Sequence, residues 1–385
     1  MTDKRFIRTV STILLIAIAL SGCKGKTKER EGQPAEGKEM ADVLPEKEAA
    51  GSSAGTGVTP TATPTPAPTD TPIPTPTPKI ENIDNNEEGH FTFQRHVFSS
   101  TYLKEFGEEY QDAMFAFCDA VYNGDDTFDC PSQEVYDWCI GRLSFFFCPI
   151  ATVYVARFSP DGSPTYKNGK GYIFYTIPKD EYLTKEKEFE EAIVGIINDC
   201  VSDDYTDMEK VLALYEYMCR NYTYDYDMYE HKLDRNNESA YRCLVEKTGI
   251  CSEVAALYNF LLLQVGVDSD EMSGTGTDHH SWVYVTIDGE SYHVDATWGL
   301  EWDVVPLDYF MMTDELREVR DGFKPETLRI GAKGDQCRKY HEFSSEDPRY
   351  TPLWETYYVG MDRENKEIVY EDRQGNIGRF YYGAN

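Results

Sequence analysis

Three short stretches carry residue types that could act as a thiol catalyst: Gly249-Ile250-Cys251, His280-Ser281-Trp282 and Asp295-Ala296-Thr297-Trp298. A cysteine can attack a carbonyl, a histidine can take and return the proton, and an aspartate can hold the imidazole tautomer and stabilise its cation. Taken alone, Cys251 reads equally well as a small core residue or half of a disulfide, because unpaired cysteines are among the most buried residues. Most lone histidines are structural too. Which reading holds depends on the elements that carry these residues.

After Cys251 the apolar residues Val254, Leu257, Tyr258, Leu261, Leu262 and Val265 recur at three-to-four spacing, so an amphipathic helix is predicted, closed by Gly266. A thiol in its first turn sits among unpaired N–H groups at the positive end of the helix dipole, which favours the thiolate. Trp282 to Ile287 and Ser291 to Val294 alternate around Asp288-Gly289, a strong hairpin signal. With Asp288 and Gly289 as turn residues, Ile287 faces Glu290, Trp282 falls opposite Asp295, and His280 opposite Thr297. His280, Trp282, Asp295 and Thr297 then share one face, with His280 and Asp295 as diagonal neighbours about 7 Å apart at Cβ. Val283, Val285, Ile287, Tyr292 and Val294 form the core face. Parity sends His279 to the apolar side and selects His280 as the base; His293 shares the site face further along, where packing is its expected role.

These motifs resemble those of the transglutaminase-like superfamily, in the branch found in bacterial surface proteins. Ser239-Ala240-Tyr241-Arg242-Cys243-Leu244-Val245, Asn221-Tyr222-Thr223-Tyr224-Asp225 and Asp308-Tyr309-Phe310 are similar to that branch as well, so the resemblance runs from about Asp203 to Asp321. It implies an α+β, papain-like core in which a nucleophile helix packs on an antiparallel sheet carrying His and Asp. It also implies Cys251, His280 and Asp295 as catalytic residues and Tyr241 as an oxyanion donor beside the Cys251 N–H, with Trp282 and Trp298 walling off water. Ser252-Glu253 departs from the branch, which commonly has an acidic residue, Gly and an aromatic there, so a different cleft wall is expected.

The formal charge of −31 argues against nucleic acid, whose phosphates need a basic footprint. It suits basic, polyamine or polymer-bound partners, and serves equally as a solubility device. The 28 tyrosines suggest peptide or glycan contact surfaces as well as ordinary packing.

In chain order, residues 1–22 read as a lipoprotein signal peptide: Lys4, Arg5 and Arg8, a short apolar run, then Leu20-Ser21-Gly22-Cys23, which resembles a lipidation box on Cys23. Residues 23–95 read as a lipid-anchored, disordered Pro/Thr-rich stalk; Thr59 to Pro78 would reach about 60 Å at roughly 3.1 Å per residue. Residues 96–200 form an N-terminal α/β region with a helix over Tyr102–Val121, strands over Cys148–Phe158 and Tyr172–Ile177, and a turn at Asp161-Gly162. Packing is its default role and a cleft wall the alternative. Helices are predicted over Glu186–Cys200 and Asp207–Cys219. The catalytic domain spans 201–345, and 346–385 ends in a β-hairpin around Gln374-Gly375-Asn376.

Cys118, Cys130, Cys139, Cys148, Cys200, Cys219, Cys243 and Cys337 remain once Cys23 and Cys251 are set aside, and outside the membrane they suggest disulfides. No C-x₂-C pair suggests zinc, Asp225 and Asp227 lack the spacing of a calcium loop, and no phosphate-cradling or dinucleotide glycine pattern occurs, so no metal or cofactor is expected. The expected activity is acyl transfer on protein or peptide substrates, including cell-wall-associated ones. It would proceed by cross-linking, hydrolysis or deamidation, on the outer face of a bacterial cytoplasmic membrane. The rival is a non-catalytic binding or adhesion module on the same scaffold.

Overall fold

Hardly a polar residue interrupts the stretch from Val254 to Gln264, and that stretch is the buried axis of the molecule. In the computed structural model, which describes residues 90–232, 237–275, 279–322, 329–330 and 344–383, Cys251–Gln264 is an α-helix whose residues from Glu253 onward are all buried. It is therefore not the half-exposed amphipathic helix that the spacing predicts; a helix apolar on every side belongs inside a core. Helices Asp207–Asn221 and Ala240–Glu246 pack on one side, and strands Asp268–Thr275 and His279–Ile287 on another. Gly266, at φ +77°, ends it: the Gly266 N–H donates to Leu263 at 3.1 Å and the Val267 N–H to Leu262 at 3.0 Å, the paired C-terminal bonds of a Schellman motif.

The sheet on this helix is antiparallel, in the order Arg329–Ile330, Asp268–Thr275, His279–Ile287, Glu290–Val294. Its hairpin has the predicted register, Ile287 opposite Glu290 through Val283 opposite Val294. Asp288 and Gly289 both take positive φ, as a two-residue turn of this hand requires. Pairing stops at Val294. Asp295 donates its N–H to the Tyr309 carbonyl at 2.8 Å, and Thr297–Gly299 winds into a 3₁₀ turn. The expectation that Thr297 faces His280 across the ladder is thereby corrected. A second antiparallel sheet orders Ile377–Tyr381, Glu367–Asp372, Thr356–Asp362 and Val305–Pro306, so the C-terminal hairpin is part of a larger unit.

The N-terminal region differs most from the sequence reading. Gly107, at φ +87°, splits the expected single helix into Ser100–Phe106 and Glu108–Asn123. The run after Cys148 is not a strand: Pro149 occupies the first helical position, where its missing N–H costs nothing, and Pro149–Tyr154 is helical. Between them Gln133–Trp138, a π-helical turn Cys139–Leu143 and Ser144–Phe147 make a continuous helical run that no periodicity announced. One hydrophobic cluster extends from Val97 to Tyr382, so the boundaries at 200/201 and 345/346 divide segments of a shared core. The eight described cysteines are free thiols, which corrects the disulfide expectation for these residues. Cys337, Cys23, the signal sequence 1–22 and the stalk up to residue 89 lie outside the described residues. Among the described residues no helix is long and apolar enough to cross a membrane.

Candidate active site

Cys251 is placed by a clamp beneath it. Thr248–Gly249 pairs in parallel with Thr223–Tyr224, and the Gly249 backbone passes so near Cys243 that an added Cβ would meet its Sγ at 3.0 Å. The next turn starts the helix with Cys251 as its first residue. Glu253, 0% exposed, accepts the Ile250 N–H at 3.1 Å and the Ser239 N–H at 3.0 Å. Arg242 holds that carboxylate through Nε at 2.7 Å and through a second nitrogen, and it also reaches Asp225 at 2.9 Å and Glu246 at 2.8 Å. Among the described residues the Cys251 and Ser252 N–H groups meet no acceptor, as first-turn groups do not within a helix. They are the donors available to an oxyanion.

His280 and Asp295 are brought together. His280 Nε2 lies 2.7 Å from Asp295 Oδ2, and the Cys251 thiol stands close enough to the same ring to favour its cation. With Nε2 taken by the carboxylate, Nδ1 is left for the sulfur. Burial alone would lower the imidazole pKa; the charge and hydrogen bond of Asp295, joined by the thiol contact, outweigh it and raise it to about 9. Burial conversely pushes the Asp295 carboxyl up, and the cationic His280 and Arg317 more than offset that, leaving it below its ordinary range.

A family model described as the transglutaminase-like superfamily matches residues 195–296. Those residues are a transglutaminase-like domain. Among solved structures, the chain is similar to a candidate cysteine protease from Cytophaga hutchinsonii at 20% identity, covering 32% of this chain and 40% of that one, with a TM-score of 0.24. It is also similar to a TGase at 14% identity, covering 32% and 34%, TM-score 0.27, and to LapG of Legionella pneumophila at 15% identity, covering 31% and 64%, TM-score 0.22. The chain thus spans well under half the length of the first two. No curated protein matches.

Arg317 lies beyond the matched residues of the transglutaminase-like domain, and sequence reasoning missed it. Its helix, Asp314–Asp321, buries the guanidinium to 1% exposure, 2.8 Å from Asp295 Oδ2 and 4.2 Å from the centre of the Trp282 ring. Trp282 is itself buried: its ring stacks on His280 at 5.9 Å, and its N–H donates to His293 Nδ1 at 2.9 Å. That donor leaves Nε2 of His293 to carry the proton, 2.7 Å from Asp314. Burial lowers the His293 pKa accordingly. Trp298 sets its ring edge-on to His280 at 5.5 Å, half-buried. Both tryptophans therefore buttress the imidazole, and neither lines the cavity beside the thiol. Tyr241 does not line it either; its ring packs on Tyr154 at 5.9 Å and Phe189 at 6.2 Å.

That cavity has a volume of about 520 Å³. The N-terminal region supplies Arg142, Phe145 and Phe146 from the π turn and the helix after it, which makes this region a wall as well as a packing partner. Tyr224, Tyr229 and Glu238 face it from the domain. Ser252, bonded to Glu238, is the wall residue at the departing position, whereas Glu253 is sealed beneath. The floor is Glu271, Ser273, Ser281 and His279, on the strand face whose later positions are core. Sequence parity read that face as apolar throughout, but it turns polar before Val283. Among the described residues no His, Cys, Asp and Glu cluster could hold a metal ion.

Proposed function

We propose that this protein is a cysteine-dependent acyl-transfer enzyme acting on protein or peptide substrates. Cys251 attacks a carboxamide or peptide carbonyl, and His280 delivers its proton to the departing nitrogen. The resulting thioester passes to an amine, giving a cross-link, or to water, giving hydrolysis or deamidation. Asp295 holds the imidazole and stabilises its cation. The first-turn N–H groups of Cys251 and Ser252 stabilise the oxyanion. The observation that carries this reading is the 2.7 Å bond between His280 and Asp295 with the Cys251 thiol beside the same imidazole, next to a cavity wide enough for a side chain. Incubation with a glutamine-containing peptide and a labelled primary amine, read by mass spectrometry, tests it. Amine addition, a small deamidation gain or a cut chain is expected, each lost in Cys251→Ala. Wild-type rates in that variant would sink the reading.

The setting we propose is the outer face of a bacterial cytoplasmic membrane, with lipidated Cys23 as anchor and the Thr/Pro segment as stalk toward cell-wall substrates. It rests on residues 1–22 and on Thr59 to Pro78. Fatty-acid labelling lost in Cys23→Ala supports it, whereas equal release of both forms into the medium opposes it.

A further inference from the structure

Proton counting exposes a vacancy in the acyl-transfer scheme, and Glu271 stands where it can be filled. Once His280 has protonated the departing nitrogen it is a neutral base with room for one proton. Water attacking the thioester needs to lose only one. A primary amine enters neutral solution as an ammonium ion and loses two between entry and the finished amide. A single imidazole takes one of these, and the other goes to solvent before entry or to a second base in the site.

Glu271 lines the same cavity as Cys251. The register sets Ser273 opposite Ser281 and Glu271 opposite Val283, so these four side chains share one face, with Cys251 on the same cavity and His280 projecting from the other side of its strand; Ser281 stands close enough to Glu271 to favour its anion. The charged groups around it are Arg142 from the π turn, which favours its anion, and Glu238, which opposes it; His231 and His279 line the cavity as well. Burial is the largest influence and lifts the carboxyl to about 7, the range in which a base both takes and releases protons at neutral pH. Phe145, Phe146, Tyr224 and Tyr229 line the cavity, a surface suited to an alkyl stem with a cationic tip. The overall charge of −31 enriches cations near the surface.

From this placement, and resting on the acyl-transfer reading above, we propose that Glu271 binds the ammonium group of an acyl acceptor, a lysine side chain or alkyl primary amine, and takes one of its protons. The freed nitrogen lone pair attacks the thioester carbonyl and forms the C–N bond. His280 accepts the second proton. The C–S bond breaks with its electrons on sulfur, restoring thiolate and imidazolium, and Glu271 returns its proton to solvent.

The test compares wild type with Glu271→Gln on one glutamine peptide, with and without a labelled alkylamine, measuring amine incorporation and hydrolysis of the same thioester. The expected result is at least a tenfold fall in the ratio of incorporation to hydrolysis. In wild type that ratio should also fall on acidification below about pH 7, and the variant should lack that step. An unchanged ratio, or a wild-type enzyme that captures water but never amine, overturns this role while leaving acyl transfer standing. Absence of any Cys251 thioester in wild type overturns both. Glu271→Asp, which keeps the carboxylate, should recover part of the ratio; recovery no better than with Gln would mark Glu271 as structural.

Discussion

Asp295 Oδ2 is shared: His280 Nε2 meets it at 2.7 Å and the Arg317 guanidinium at 2.8 Å. A wholly buried carboxylate between two cations is thus kept ionised, and the imidazole it faces stays charged. Removing one partner of a buried pair typically costs roughly 3–5 kcal/mol, because the other charge is left short of compensation. Arg317→Met should lower unfolding stability by about that amount. Arg317→Lys should recover only part of it, since an ammonium keeps the charge but not the flat contact over Trp282. Denaturant midpoints of the three proteins decide; equal midpoints for Met and wild type would show the pair to be inert.

His280 ties stability to alkaline pH. Its folded pKa of about 9 stands above the unfolded value of 6.5. Its contribution is therefore complete below about pH 6.5 and is lost as pH rises through 9. Integrated, the effect is on the order of 3 kcal/mol. Asp295 runs the other way: its lowered pKa gives stability that is present above about pH 4 and lost on acidification through the folded value. Urea unfolding at pH 6 and pH 9.5 should show a clear fall for wild type and a smaller one for His280→Gln. A flat wild-type profile would contradict the imidazolium.

Arg242 and Glu253 hold the turn that places Cys251. Arg242→Met would leave the buried Glu253 carboxyl with only N–H donors and no cation, so a loss of roughly 3–5 kcal/mol is expected. Glu253→Gln should cost less in stability, since the amide oxygen still accepts an N–H, yet it should loosen the turn and slow alkylation at Cys251. Hydrogen exchange across 249–254 reads this directly; unaltered exchange in both variants would remove the clamp from the account.

The core of this site was legible because it lies in local patterns. A helix start fixed Cys251, and a two-residue turn fixed which of His279 and His280 meets Asp295. What failed was long-range. Arg317 comes from a helix beyond the hairpin, and nothing in its own stretch marks it as a buried partner of Asp295. Arg142 sits on a π turn, which has no periodic signature, and its neighbours Phe145 and Phe146 read as plain core. The strand expected after Cys148 failed for a local reason: a short apolar run fits helix and strand alike, and Pro149 at the first helical position decided it. Tyr241 was carried by motif position alone, and its neighbours, Tyr154 and Phe189, come from outside that motif.

The free thiols make a prediction about order of reaction. Cys251 and Cys200 are half-buried, whereas Cys118, Cys130, Cys139, Cys148, Cys219 and Cys243 are buried. The neighbouring Cys118 thiol, together with burial, raises the Cys148 pKa well above the ordinary thiol range; burial does the same for Cys139 and Cys243. Cys200 is pushed up to about 11, mainly by burial. In native protein at pH 7, iodoacetamide should therefore label Cys251 first and Cys200 far more slowly. The six buried thiols should react only after denaturation without reductant, each by one full label. His280→Ala should slow the Cys251 reaction at least tenfold, because the sulfur loses the base that stands beside it. A buried pair that stays unlabelled until reductant is added would be a disulfide. Labelling of Cys200 ahead of Cys251 would deny Cys251 its activation.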